Sequence, residues 1–212
     1  VLLLIMEVSL RFLGKDYGNS PADADPVVNY VHPANYYYKM FTPSVEFGGY
    51  SIYFDSLRRR AQVPELAIQR PGNAPIIVFL GDSFTEALQV PYDSSFIGIL
   101  STHFPQASLL NYGVTGYGTI LYYLQCKKML KEHDIQPAAV FMILYSNDVR
   151  DDSTVLNRAI LDSNRKEIIA IDGGRKNSLV AWLRKFYLVR TVNKLFLQWK
   201  FTQKAKKESD TN

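Results

Sequence analysis

A chain of 212 residues, 47% of them apolar, is long enough to bury one sizeable core. Its formal charge of +4 is unevenly spread: residues 1–174 carry 14 Lys or Arg against 18 Asp or Glu, whereas residues 175–207 carry ten basic residues and no acid. A net acidic body excludes a basic fold that grips nucleic acid. The single cysteine, Cys126, excludes an internal disulfide and a Cys-based zinc site.

In chain order, the opening stretch VLLLIMEVSLRFLG places six apolar residues before Glu7, far short of the roughly 20 that a spanning helix needs. It reads as the trailing end of a membrane anchor whose start is missing, with a buried N-terminal helix as the alternative. Residues 1–14 are therefore expected to be an anchor remnant, which places the body on the extracytoplasmic side of a membrane. Residues 15–74, rich in Pro, Asn, Asp and Tyr, are expected to form an irregular lead-in carrying turns.

A regular pattern begins at Pro75 and defines the main domain, residues 75–212. Ile76 to Leu80 is a continuous apolar run, the mark of a strand covered on both faces. Ser94 to His103 reads as a helix, Leu109 to Asn111 as a short strand, Thr119 to His133 as a second helix and Ala138 to Leu144 as a third strand. This alternation predicts an α/β fold with a parallel sheet and right-handed crossovers. Two short strands around an Asp-Ser-Asn-Arg turn predict a hairpin at 158–171. Residues 178–201 read as one amphipathic helix expected to pack its apolar side on the domain, with docking on an anionic membrane as the alternative. No strand after the third supplies it with a parallel neighbour, so the sheet looks unfinished.

In open α/β sheets ligands sit beyond the carboxyl ends of the strands. Those exits are Gly81-Asp82-Ser83-Phe84-Thr85, then Asn111 to Thr119, then Ser146-Asn147-Asp148. Ser83, at a strand-to-helix turn, is a candidate nucleophile that still needs a base. The Gly113 backbone N–H and the Asn147 amide, with a second backbone donor, would form an oxyanion hole. Blander readings stand beside this one: a glycine-rich loop can cradle phosphate, and Asn147-Asp148 can simply cap a helix. A dinucleotide fingerprint is absent, and Thr85 stands where the Gly-x-Ser-x-Gly elbow wants glycine.

Together GDSFTEALQV, NYGVTGYGT and YSNDVRDD resemble the serine, glycine and asparagine blocks of the SGNH hydrolases, the GDSL-like lipases and esterases. The resemblance covers about residues 75–152, and in particular it is to bacterial membrane-anchored members. It implies a three-layer α/β/α flavodoxin-like sheet of which this chain holds three parallel strands. It also implies an acyl-enzyme on Ser83, an oxyanion hole of Ser83, Gly113 and Asn147, and loop-orienting roles for Asp82 and Asp148. No metal or organic cofactor is implied, and the expected partner is a small-molecule or carbohydrate ester. The family's closing Asp-x-x-His does not occur, so the chain is expected to be a fragment without its general base. His103 and His133 are expected at the opposite edge of the sheet, and His32 lies in the lead-in. A carbohydrate O-acyltransferase and a non-catalytic carbohydrate-binding domain are the alternatives, with Tyr36 to Tyr38, Tyr117 and the 158–171 hairpin lining the acceptor groove.

Overall fold

The computed structural model describes residues 1–12, 22–41, 48–66, 72–132, 135–164, 166–173, 183 and 185–209. Its centre is β6 (Ile76–Gly81), the apolar run IIVFLG, flanked in parallel by β7 (Ser108–Gly113) and β8 (Ala139–Met142). Side chains alternate across β6. Val78 and Leu80 meet Tyr112 and the buried face of α4 (Thr119–Glu132), through Leu121, Tyr122, Leu124 and Met129. Phe79 points the other way, onto Leu109 and Ile97 of α3 (Phe96–His103). Helices thus cover both faces of the β6–β7 pair.

The lead-in is not irregular where it is described. A two-stranded hairpin, β1 (Asp23–Asp25) and β2 (Asn29–Val31), comes first. Then β3 (Tyr36–Phe41), β4 (Gly48–Phe54) and β5 (Arg60–Ala61) run antiparallel and join the main sheet where Arg60 pairs with Asn111. Among the described residues the sheet therefore has six strands in the order β3-β4-β5-β7-β6-β8: the three parallel strands expected, β7, β6 and β8, are extended on one side by three antiparallel ones. The Tyr-rich composition that reads as turns is equally that of strands with aromatic side chains.

The expected third strand, 138–144, forms β8 over a shorter span and is the edge of the sheet, with Val140, Phe141 and Met142 all exposed. Beyond it α5 (Asp148–Leu156) is a helix that the reading of the sequence did not include. The hairpin expected at 158–171 is β9 (Ala159–Leu161) with β10 (Ile168–Ile171). The helix expected over 178–201 falls partly outside the described residues and runs as α6 (Tyr187–Ser209). Val192, Leu195, Phe196 and Trp199 of α6 are 56–59% exposed, so its apolar stripe is not packed on the domain as expected. At the other end of the chain, α1 (Leu2–Phe12) packs against α6. Among the described residues no helix is long and apolar enough to cross a membrane.

Asp25 fastens the lead-in hairpin to the core. Its carboxylate accepts the N–H groups of Val27 at 2.9 Å and Val28 at 3.0 Å and pairs with Lys128 of α4. Burial pushes this carboxyl up, but Lys128 and the two N–H groups outweigh it and hold the pKa below its ordinary value. A depressed carboxylate stabilises the fold above its unfolded pKa near ~3.9 and loses that contribution as pH falls through the lower folded value. Asp25→Asn is expected to lose about 1–3 kcal/mol at pH 7. In urea unfolding the deficit should shrink below about pH 4 as the wild-type carboxylate protonates; an undiminished gap at low pH would show that the charge is immaterial.

Candidate active site

Two glycines make room for the turn that presents Ser83. Gly81 and Gly113 are register partners at the ends of β6 and β7. A side chain on Gly81 would lie 2.6 Å from Thr85 Cβ, and one on Gly113 would lie 2.8 Å from Glu86 Cα. The one-turn helix α2 (Ser83–Glu86) therefore lies directly over both strand ends. Asp82, almost fully buried, caps α2 by accepting the Phe84 N–H at 2.9 Å. Ala87 closes it in the left-handed region at φ 54°. Buried Arg60 then donates to the carbonyls of Glu86 at 2.6 Å, Ala87, and Val90 at 2.6 Å, bracing the far end of the turn.

The three exits do converge. Asn147 donates to Asp82 Oδ2 at 3.1 Å, the Thr115 N–H donates to Glu86 Oε2 at 2.6 Å, and the Phe84 and Tyr145 rings meet with centroids 4.1 Å apart. Asp148 is buried and occupied by the Tyr122 hydroxyl at 2.9 Å and the Tyr145 N–H at 2.9 Å. Asp152 of α5 accepts from the Thr119 hydroxyl and, at 3.0 Å, from the Ile120 N–H, so α5 caps the start of α4.

The oxyanion donors expected from the sequence fare unequally. The Gly113 N–H is spent on Asn111 Oδ1 at 2.9 Å, while Asn111 Nδ2 donates to the Thr85 carbonyl at 2.9 Å. Gly113 serves close packing, and in this arrangement its N–H is engaged within the protein. The Asn147 amide directs both of its N–H bonds to carboxylates, Asp82 at 3.1 Å and Asp151 at 2.7 Å. Its role in this arrangement is to join α5 to the serine turn. Ser83, by contrast, has neither its N–H nor its hydroxyl engaged among the described residues. Another backbone N–H on this rim without an acceptor among the described residues is that of Gly116. It sits at φ +79° in a turn closed by the Tyr117 N–H on the Val114 carbonyl at 3.1 Å. Glycine at that position is what a type II turn requires. Gly116 was visible in the sequence within NYGVTGYGT; only the closing bond of the turn separates its role from that of Gly113.

Glu86 and Tyr30, which the sequence did not single out, hold this rim together with His32. Glu86, fully buried, takes the N–H and hydroxyl of Thr115 on one oxygen and lies 3.0 Å from His32 Nε2 with the other. His32 stacks on Phe54 with ring centroids 3.9 Å apart. His32 thus faces Glu86 at ion-pair distance, without a hydrogen bond between them, and makes none to Ser83. The Tyr30 hydroxyl donates to the Thr115 carbonyl at 2.7 Å. Burial, then the charges of Glu86 and Asp151, push its pKa up to about 12, so it is a neutral donor and no base. His103 ends α3 ahead of β7, at the edge of the sheet opposite Ser83, and bonds the Ile99 carbonyl at 2.9 Å. His133 lies outside the described residues. Burial raises the Cys126 thiol, which suits a packed side chain. Tyr117 is fully buried, so it lines no groove, and Tyr36 receives Arg190 at 2.7 Å.

No protein-family model matches the chain, and no curated protein does. Among solved structures it is similar to AlinE4, an SGNH-hydrolase family esterase. The crystal structure of that esterase and that of a point mutant of it each match at 24% identity and a TM-score of 0.34, over 38% of this chain and 44% of theirs. The chain thus spans less than half the length of the structures it matches, and likeness at this level carries no argument about activity.

Proposed function

We propose that the protein belongs to serine-dependent acyl-transfer chemistry, with Ser83 as the nucleophile of an ester hydrolase. The observation that supports this is the serine turn itself. A hydroxyl and its own N–H, both unengaged among the described residues, stand at the exit of a central strand. The turn is built with two close-packing glycines, a buried cap and a buried arginine brace. An over-determined presentation of one hydroxyl is characteristic of a nucleophile. Attack of Ser83 Oγ on an ester carbonyl forms a tetrahedral oxyanion. Its donors are the N–H groups of Ser83 and Gly116, and Asn147 joins them when a substrate draws its amide from a carboxylate. Collapse expels the alcohol and leaves Ser83 acylated; water or a sugar hydroxyl then releases the acyl group. The proton from Ser83 requires a base outside the described residues, since His32 faces Glu86 and makes no hydrogen bond to Ser83, and His103 lies at the far edge.

The same reading places the substrate among acylated carbohydrates or other small esters, and attaches the protein to the extracytoplasmic face of a membrane through the opening segment. The exposure of Leu2, Leu3, Leu4 and Ile5 supports the attachment. A fluorophosphonate probe is expected to label the full-length protein at Ser83 and to fail on Ser83→Ala. Equal labelling of the two would sink the assignment. Product analysis with and without a polysaccharide acceptor then separates hydrolysis from transfer.

A further inference from the structure

The charge and exposure of the two terminal helices run opposite to those of helices adapted to water. In α1 the acid, Glu7, is buried, while Leu2, Leu3, Leu4, Ile5 and Phe12 are more than half exposed. Glu7 is turned inward because it caps α6: its two oxygens accept the N–H groups of Tyr187 at 3.1 Å and Leu188 at 2.8 Å. Arg11 closes the joint, bonded to Glu7 at 2.7 Å and lying 4.8 Å over the Tyr187 ring. A carboxylate at a helix N-terminus satisfies two otherwise unpaired donors and complements the helix dipole. It therefore sets where α6 begins and couples it to α1.

Along α6, Val192, Leu195, Phe196 and Trp199 recur at three- and four-residue spacing, which places them in one stripe, and all are exposed. Beyond Arg190, which is buried and donates to Tyr36, the sequence of α6 carries Lys194, Lys200, Lys204, Lys206 and Lys207 against one acid, Glu208. We propose that this stripe is a docking surface for an anionic lipid bilayer, on which α6 lies flat with its apolar residues at the acyl boundary and its basic residues among the headgroups. The charge selects this occupant. Two copies apposed through α6 would bring two basic segments together, whereas anionic headgroups attract each Lys or Arg near the surface. An exposed tryptophan is suited to the boundary between headgroup and acyl chain. The inference rests on the membrane attachment proposed above only in that both meet the same bilayer: the anchor concerns α1, the docking α6.

The test is co-sedimentation of the whole chain with phosphatidylcholine vesicles made with and without phosphatidylglycerol. Binding is expected with phosphatidylglycerol and to weaken with salt. The double variant Leu195→Asp/Phe196→Asp should reduce it by about tenfold or more. In a Trp182→Phe background the emission of Trp199 should shift to the blue on vesicle addition. Unchanged binding of the double variant overturns the proposal, even if Leu3→Asp/Leu4→Asp weakens binding; that pattern would leave the α1 anchor standing alone. A dimer in light scattering that the double variant dissociates overturns it as well, by assigning the stripe to a second copy.

Discussion

Gly113→Ala is expected to be among the most damaging single-methyl additions in the protein, costing about 3 kcal/mol. The added carbon would sit 2.7 Å from the Thr85 carbonyl carbon and 2.8 Å from Glu86 Cα, and both obstacles are backbone. Backbone cannot rotate aside as a side-chain tip can, so either α2 lifts from β7 or the strand end moves. Both displace Ser83. Gly116→Ala meets nothing closer than the Tyr30 hydroxyl at 3.0 Å, but its φ of +79° should cost about 1–2 kcal/mol. Gly72→Ala, with nothing within 4 Å, should fall within about 0.5 kcal/mol of wild type. Urea unfolding midpoints that fail to rank the three in this order would mean that α2 is not held against the strand end.

Removing Glu86 should be comparably severe. Glu86→Ala opens a cavity beneath the serine turn, strips the Thr115 N–H and hydroxyl of their acceptor, and leaves His32 facing no carboxylate. Loss of one partner from a buried polar cluster costs about 3–5 kcal/mol. Glu86→Gln keeps an oxygen for Thr115 and should cost about 1–2 kcal/mol. It should still slow labelling of Ser83, because Thr115 and Gly116 share the loop that the carboxylate tethers. Labelling of the Gln variant at the wild-type rate would separate that loop from the chemistry.

Much of the central sheet was legible because its strands follow a local rule. Ile76 to Leu80 is apolar without a break, as an interior strand must be, and alternate residues of β6 do meet helices on opposite faces. The hairpin at 158–171 was legible for the same reason, two apolar runs around a turn-forming stretch. The serine turn was marked by its glycine and polar residues at a strand exit. By contrast, the strands of residues 36–61 were hidden, because Tyr and Phe favour extended structure without announcing which strand they pair with. Among the described residues the ladder pairing of Arg60 with Asn111 joins them to the parallel strands.

The donors of the site divide along the same line. Sequence alone brings Ser83, Gly113, Gly116 and Asn147 to the strand exits, since residue order and the handedness of crossovers decide that much. Which N–H is spent inward is a matter of angle and distance: Asn111 claims Gly113, two carboxylates claim Asn147, and the turn frees Gly116. The roles of Glu86 and Glu7 are likewise tertiary. Each carboxylate is useful only because a distant segment brings it N–H groups, Thr115 for one and Tyr187 with Leu188 for the other. A hydrophobic pattern records which face of an element is buried, since every residue along the element repeats the message. A buried polar group depends on one partner far away in the chain, and only the folded structure names it.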